Sequence, residues 1–301
     1  VRARPCYVIG VHDGSSASNG GPHVAAQLDE QVDALADHLR GRRVAVLTGA
    51  GVSTESGIPD YRSPAALGRR VRRPILGPEF VRSAALRRRY WARAMVGWER
   101  FRLARPGPAH LALARLEAAG VVTGLVTQNV DRLHHAAGSR RVVELHGALA
   151  EVICLECGKI EGRDEVQTRM RSLNPSWIDG PAPMAPDGDA DLPDDLVERF
   201  VVPACTECGG ALKPNVVFFG HNVPRPVVEE AYARVDEAEA LLVAGTSLAV
   251  FSGYRFLLRA ADRKIPIVIV NRGEVRGEGR ACLKIEGSTG EVLAALARRL
   301  A

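Results

Sequence analysis

The sequence predicts an α/β fold: a doubly wound, Rossmann-like parallel sheet with a smaller zinc-binding and helical lobe. Three observations predict it. Short apolar runs without polar alternation recur at 44–47, 124–126, 240–244 and 265–270, as in strands buried on both faces. Each run ends in a turn of small or polar residues: Thr48-Gly49-Ala50-Gly51, Thr127-Gln128-Asn129, Gly245-Thr246-Ser247 and Asn271-Arg272-Gly273. Helical patterns fill the gaps at about 108–119, 226–238, 253–262 and 289–300. Repeated βα units with their turns on one edge place a ligand beyond the carboxyl ends of the strands.

Residues 1–26 are rich in Gly, Ser, Asn and His, have little apolar periodicity, and read as a flexible tail. The domain then runs over 27–301, and Leu28, Val32, Leu35 and Leu39 mark its first helix. Its Rossmann-like lobe takes 27–62, 108–150 and 223–301. The Arg-rich stretch 63–107, with a helix over 82–101, completes the small lobe. Residues 151–222 break the pattern with Pro175, Pro181, Pro183, Pro186 and Pro193 and an acidic run at 187–195, and read as an inserted zinc module.

Apolar residues make up 46% and charged residues 25%, which excludes disordered and collagen-like classes. No apolar run approaches the ~20 residues of a membrane-spanning helix, so no membrane association is expected. The net charge of +5 comes almost wholly from Arg, with Lys only at Lys159, Lys213, Lys264 and Lys284. This reads as coding bias, and no nucleic-acid partner is expected. The expected location is cytoplasmic. Arg2 and Arg4, ahead of the first acid Asp13, leave the mitochondrial matrix as the alternative.

Cys154-Leu-Glu-Cys157 and Cys205-Thr-Glu-Cys208 are two knuckles that can close a tetrahedral sulfur cage. Four thiolates leave no open position, so the expected zinc is structural. Redox pairs or buried thiols are the competing reading. Cys6 and Cys282 have no partners in this pattern.

The turn over Gly49 and Gly51 would let backbone N–H groups reach a pyrophosphate that Arg62 neutralises. A simple tight turn fits it as well. Gln128, Asn129 and Asp131, with His146 in Glu144-Leu145-His146-Gly147, supply an amide, a carboxylate and an imidazole at strand ends, a plausible acid–base set. A hydrogen-bonded structural histidine remains the bland alternative for His146. His134 and His135 read as capping or packing residues.

In order, the motifs are 48–62 (TGAGVSTESGIPDYR), 127–133 (TQNVDRL), 144–147 (ELHG), the four Cys, 216–220 (VVFFG), 245–248 (GTSL) and 271–273 (NRG). Together they resemble the sirtuins, NAD-dependent protein-lysine deacylases, over about 27–300. Tyr61, where many members have Phe, the YWAR tetrapeptide within 82–101 and the APDGD stretch 185–189 look like the class II group.

The resemblance implies NAD as co-substrate and one structural zinc. The oxygen of an acylated lysine attacks the nicotinamide ribose, nicotinamide leaves, and His146 draws a proton from a ribose hydroxyl as general base. By the same resemblance Asn129 orients the ribose and a water, while Asp131 and Ile58 hold the carboxamide. Tyr61 shields the sugar. Thr48, Gly49, Ala50, Gly51, Ser53, Asp60 and Arg62 belong to the cofactor turn, and Gln128 adjoins it. Gly245, Thr246 and Ser247 hold phosphate and ribose; Asn271, Arg272 and Gly273 meet the adenosine end, and Thr289 stands at the adenine. An extended acyl-lysine peptide pairs between Val216–Gly220, with Phe218 and Phe219, and an edge at Ser252-Gly253-Tyr254.

Tyr90 and Arg93, three residues apart on one helix, match the pair that binds the acyl carboxylate in desuccinylating sirtuins. The alternative is a solvated basic face of Arg87–Arg89 and Arg93 with Tyr90 and Trp91 packed inward. Mono-ADP-ribosyl transfer from the same pocket is the rival activity. A zinc-ribbon nucleic-acid protein is remote, because Glu156 and Glu207 flank the knuckles. A dehydrogenase lacks the usual ribose-binding acid after the second strand.

Overall fold

The computed structural model describes residues 7–9, 22–60, 75–175 and 197–301. Its strands are β1 (Tyr7–Ile9), β2 (Val44–Thr48), β3 (Val122–Thr127), β4 (Val142–Glu144), β5 (Gly147–Cys154), β6 (Ile160–Gly162), β7 (Leu212–Val216), β8 (Ala240–Ala244), β9 (Ile267–Val270) and β10 (Leu283–Ile285). Its helices are α1 (Pro22–Leu39), α2 (Gly77–Arg82), α3 (Ala84–Phe101), α4 (Pro108–Ala118), α5 (Leu133–Ala136), α6 (Arg163–Leu173), α7 (Arg225–Asp236), α8 (Phe251–Asp262) and α9 (Thr289–Leu300).

Seven strands form the main sheet in the order β1-β10-β9-β8-β2-β3-β4, every pair parallel. Its strands are apolar throughout because both faces are covered. Within β2, Val44 and Val46 pack with α1, α4 and α9, while Ala45 and Leu47 pack with α7 and α8. From β2 the chain winds one way through β3 to β4 and later returns on the other side through β8, β9 and β10. The order therefore reverses between β2 and β8, a topological switch point. Register brings the ends level: Thr48 lies opposite Thr127 and Ala244, and Ala244 opposite Val270. The four turns read from the sequence thus emerge side by side.

A second sheet, β6-β5-β7, is antiparallel and packs under α2, α3 and α6 around Phe80, Trp91, Met95, Val166 and Met170. Trp91 is fully buried and its indole N–H donates to Leu212 O at 3.0 Å. Ile58, Trp98, Phe101, Leu133 and Leu149 form a smaller apolar cluster joining the cofactor turn, α3, α5 and β5.

Three readings of the sequence need correction. Residues 1–26 are not wholly a tail: β1 extends the sheet beside β10, and α1 begins at Pro22. The helix expected over 82–101 starts two residues later, at Ala84: Arg82 ends the separate α2, and the Ser83 hydroxyl accepts from Leu86 N–H and caps α3. Ser252-Gly253-Tyr254 is the first turn of α8, so it offers no strand edge. Among the described residues, no helix is long and apolar enough to cross a membrane.

Candidate active site

The two turns at the switch point touch. Gly51 N–H donates to Gly245 O at 2.8 Å and Gly49 N–H to Ala244 O at 3.3 Å. A Cβ on Gly51 would lie 2.8 Å from Gly245 Cα and O, and Gly245 itself has φ of +60°. The glycines therefore serve close approach of two backbones. Those two N–H groups are committed within the protein, which corrects the expectation that they reach a pyrophosphate. Ala50 N–H has no acceptor among the described residues.

Gln128 braces the same seam. Its amide donates to Thr48 O at 3.2 Å and to Thr246 Oγ1 at 2.9 Å, and Thr246 Oγ1 also accepts from Leu248 N–H. Ser247 O accepts from Arg276 N–H at 2.8 Å. Asn271 is buried and its amide donates to Arg272 O and Gly273 O, shaping the third turn, while Arg272 and Gly273 are exposed. Thr289, also buried, donates to Gly51 O at 3.2 Å and locks α9 to the glycine turn.

Ser53 is a hub with 1% exposure. Its hydroxyl donates to Asp131 Oδ2 at 2.6 Å, accepts from Asn129 Nδ2 at 3.0 Å and faces His110 Nε2 at 3.4 Å. Asn129 Nδ2 also donates to Gly49 O, and Asp131 Oδ1 accepts from Leu133 N–H. Gly107 N–H donates to His110 Nδ1, so neutral His110 carries its proton on Nε2. Burial pushes the His110 pKa down, against the pull of Asp131 and Glu55. His134 lies edge-on to His110 and bonds Thr48 Oγ1 at 3.0 Å; burial, with the neighbouring His110 and His135, pushes it well down. Sequence reasoning missed His110. Its signal was a lone histidine on the apolar stripe of α4. Arg132, beside Asp131, has φ of +60°, a costly conformation held by its ion pairs to Glu144 and Glu151.

His146 stands just before β5. Its Nδ1 lies 2.9 Å from Gln128 O and its Nε2 2.8 Å from Ser252 Oγ. Desolvation pushes its pKa below the ordinary value, partly offset by the Gln128 carbonyl. The ring is thus neutral near pH 7.

The four cysteine sulfurs lie within 4.8 Å of one another, with Cys154–Cys208 at 3.5 Å and Cys157–Cys205 at 3.7 Å. A tetrahedral site with Zn–S of ~2.3 Å has sulfur–sulfur edges of about 3.8 Å. Glu207 N–H points to Cys205 Sγ and Gly210 N–H to Cys208 Sγ, as knuckles holding thiolates do. The donor set fits one structural zinc.

The Sir2 family model matches residues 49–252, from the glycine turn to the first turn of α8. The chain belongs to the Sir2 family. It is 52% identical over 254 residues to human mitochondrial sirtuin-4, described as an NAD-dependent protein lipoamidase, covering 84% of this chain and 81% of that one. It is 50% identical to NAD-dependent protein deacetylase 1 of Mycobacterium avium, covering 87% and 93%. A crystal structure of a Sir2 homologue–NAD complex superposes with a TM-score of 0.69 at 32% identity, covering 89% of this chain and 93% of the other.

On the small lobe of this sirtuin, β7 ends at Val216, opposite Gly147. The next residues form a turn. Val217 N–H bonds His146 O, and Phe219 O accepts from Gly77 N–H. Phe218 packs on Phe80 and Tyr90, Phe219 is exposed, and Gly220 has φ of +82°. Lys213, to which the sequence assigns no role, is buried over the Phe218 ring; desolvation pushes its amine down to about 8, and it donates to Pro214 O and Val216 O. Tyr90 and Arg93 are 5% and 6% exposed, so Arg93 is no part of a solvated face. Ile58 is buried, its N–H bonded to Ser53 O, and Asp60 follows half-buried. Tyr61, Arg62 and the APDGD stretch lie outside the described residues.

Proposed function

We propose that this sirtuin is an NAD-dependent protein-lysine deacylase with His146 as its general base. The observation that carries the reading is the neutral imidazole of His146, held by Gln128 O at Nδ1 and the Ser252 hydroxyl at Nε2, beside the strand-end turn that carries Asn129 and Asp131. The NAD-dependent deacetylase, deacylase and lipoamidase relatives at about half identity support it.

NAD supplies an electrophilic ribose carbon and a leaving nicotinamide. Asp131, fixed by Ser53 and Leu133 N–H, accepts from the carboxamide with Ile58 as its floor. Asn129 orients the ribose. Thr48, Ala50, Ser53, Gly245, Thr246 and Ser247 line the phosphate turn, with Asn271, Arg272 and Gly273 toward the adenosine and Thr289 bracing the turn beneath. Asp60, Tyr61 and Arg62, which follow in the same sequence motif, are assigned to NAD binding by family resemblance. Cys154, Cys157, Cys205 and Cys208 hold zinc away from the chemistry and keep the small lobe folded.

The proposed substrate is an acyl-lysine in an extended peptide seated between the lobes against Val216, Phe218, Phe219 and Gly220. Solved Sir2 complexes with a p53 peptide and NAD, at 31% identity and a TM-score of 0.67, support that mode. Tyr90 and Arg93 are proposed to bind the carboxylate of acidic acyl groups. Both are buried on α3, and Tyr90 touches Phe218 of the substrate segment. Bacterial deacetylases among the relatives support a cytoplasmic location; mitochondrial sirtuin-4 carries the matrix as the alternative.

The test is a panel of acyl-lysine peptides with NAD labelled in its adenosine half. The reading expects nicotinamide release in step with deacylation, and label in O-acyl-ADP-ribose. Label left on protein without deacylation would replace it with ADP-ribosyl transfer.

A further inference from the structure

His146 is held at both ring nitrogens. A carbonyl oxygen only accepts, so the 2.9 Å contact with Gln128 O puts the proton on Nδ1. The Nε2 lone pair then accepts from the Ser252 hydroxyl at 2.8 Å. Both partners belong to one braced seam. Gln128 is anchored by Thr48 O and Thr246 Oγ1. The first turn of α8 sits directly on it: a Cβ on Gly253 would fall 2.5 Å from Gln128 Oε1. A side chain at 253 would therefore have to displace the Gln128 amide from its bonds to Thr48 O and Thr246 Oγ1.

We propose that Ser252 is a positioning residue for His146: its hydroxyl fixes the imidazole ring through Nε2 and remains its partner when that nitrogen gains a proton. The proposal rests on His146 being the general base. Nε2 has a single in-plane lone pair, so the Ser252 and ribose hydroxyls do not donate to it together. Rotation about Cβ–Oγ turns the serine hydrogen away and leaves an oxygen lone pair toward the ring. The ribose O–H bond then breaks, the Nε2–H bond forms, and the O–H electron pair stays on the ribose oxygen for its attack on the acyl carbon. A hydroxyl partners both ring states because it donates and accepts. Alanine does neither.

The test has two readouts. The first is the ¹⁵N resonance of His146 Nε2 in ligand-free protein, assigned by its loss in His146→Asn. Ser252→Ala is expected to move it downfield, to the position of a nitrogen accepting no hydrogen bond, and Ser252→Thr to restore it. An unmoved resonance overturns the contact whatever the protein's activity. The second is kinetic. Ser252→Ala is expected to lower the deacylation kcat by about three- to tenfold, the worth of roughly one hydrogen bond. KM for NAD and peptide, and nicotinamide–NAD exchange, which precedes the base step, are expected to hold, with Ser252→Thr recovering most of the rate. Unchanged kcat, a raised KM alone, or equal loss of exchange and deacylation overturns the positioning role. Wild-type protein inactive on every acyl peptide would instead sink the deacylase reading, and with it the catalytic half of the proposal, while the resonance still decides the contact.

Discussion

At His146 the environment decides the chemistry. Desolvation lowers its pKa, so the neutral ring persists below the ordinary histidine value of 6.5. The acid limb of the deacylation pH–rate profile is therefore expected below 6.5, and a limb above it would show that another group titrates. His146→Ala and Asn129→Ala are each expected to cut turnover by ~10²–10⁴ with the fold intact. Circular dichroism and melting check the fold; a folded His146→Ala enzyme with more than about a tenth of wild-type activity would remove the base assignment. Arg93→Met is expected to lose succinyl- and glutaryl-peptide turnover selectively and keep acetyl turnover, because only the charge-paired contact goes. Equal loss on both substrates would make Arg93 structural, and Arg93→Lys, which keeps the charge, separates that from misfolding. His146 and Asn129 were legible because strand-end motifs announce themselves. The contacts of His110 and Ser252 were not: each meets the site from a helix distant in sequence, so neither the lone histidine on the apolar stripe of α4 nor the serine before Gly253 revealed its partner.

Among the elements, the strand ends were the most legible. The run at 240–244 is β8 without change, and the helix at 289–300 is α9. Continuous apolar runs survive because both faces of the sheet are covered. β1, β4 and β10 span three residues each, too few to show a period, and are defined by their neighbours. The turn between β2 and the rest of the loop is the least forgiving element. Gly51→Ala would drive a Cβ into the Gly245 backbone, where no flexible side chain can yield. The expected outcome is a lower melting temperature together with loss of NAD binding; calorimetry showing normal affinity would mean the two turns separate more easily than their 2.8 Å hydrogen bond implies. In the zinc module the two knuckles were plain in the sequence, but the antiparallel β5 that unites them was not. Cys154→Ser is expected to give metal-poor, poorly soluble protein, since structural zinc carries an apparent ~10–16 kcal/mol of coupled binding and folding in small modules. One zinc per chain in the wild type, measured by metal analysis, is the companion result, and a metal-free preparation melting normally would refute it.

Across the whole molecule, the larger lobe has an internal seam where imidazoles are buried uncharged. His110 and His134 are 0% and 1% exposed, stacked edge-on between the glycine turn, α4 and α5. Both have folded-state pKa values lowered by burial. In the unfolded chain each takes up a proton near 6.5, and in the folded chain only at lower pH. As pH falls below 6.5 the unfolded state therefore binds more protons, and stability falls with it. The stabilisation is complete above 6.5 and is lost as pH drops toward the folded-state values. Each histidine protonating only in the unfolded chain adds a slope of about 1.4 kcal/mol per pH unit. The carboxylates that ion pairing holds low, Asp236 and Glu278, act in a separate window at more acid pH. Urea midpoints from pH 7.5 to 5.5, with zinc content measured at each pH so that metal loss is separated out, are expected to fall steadily. His134→Gln should be less stable at pH 7.5, having lost the Thr48 bond and the ring packing, yet fall less steeply with acid. A wild-type midpoint flat across this range, or a variant with the wild-type slope, would show that these histidines admit protons in the fold and that the acid sensitivity of the seam lies elsewhere.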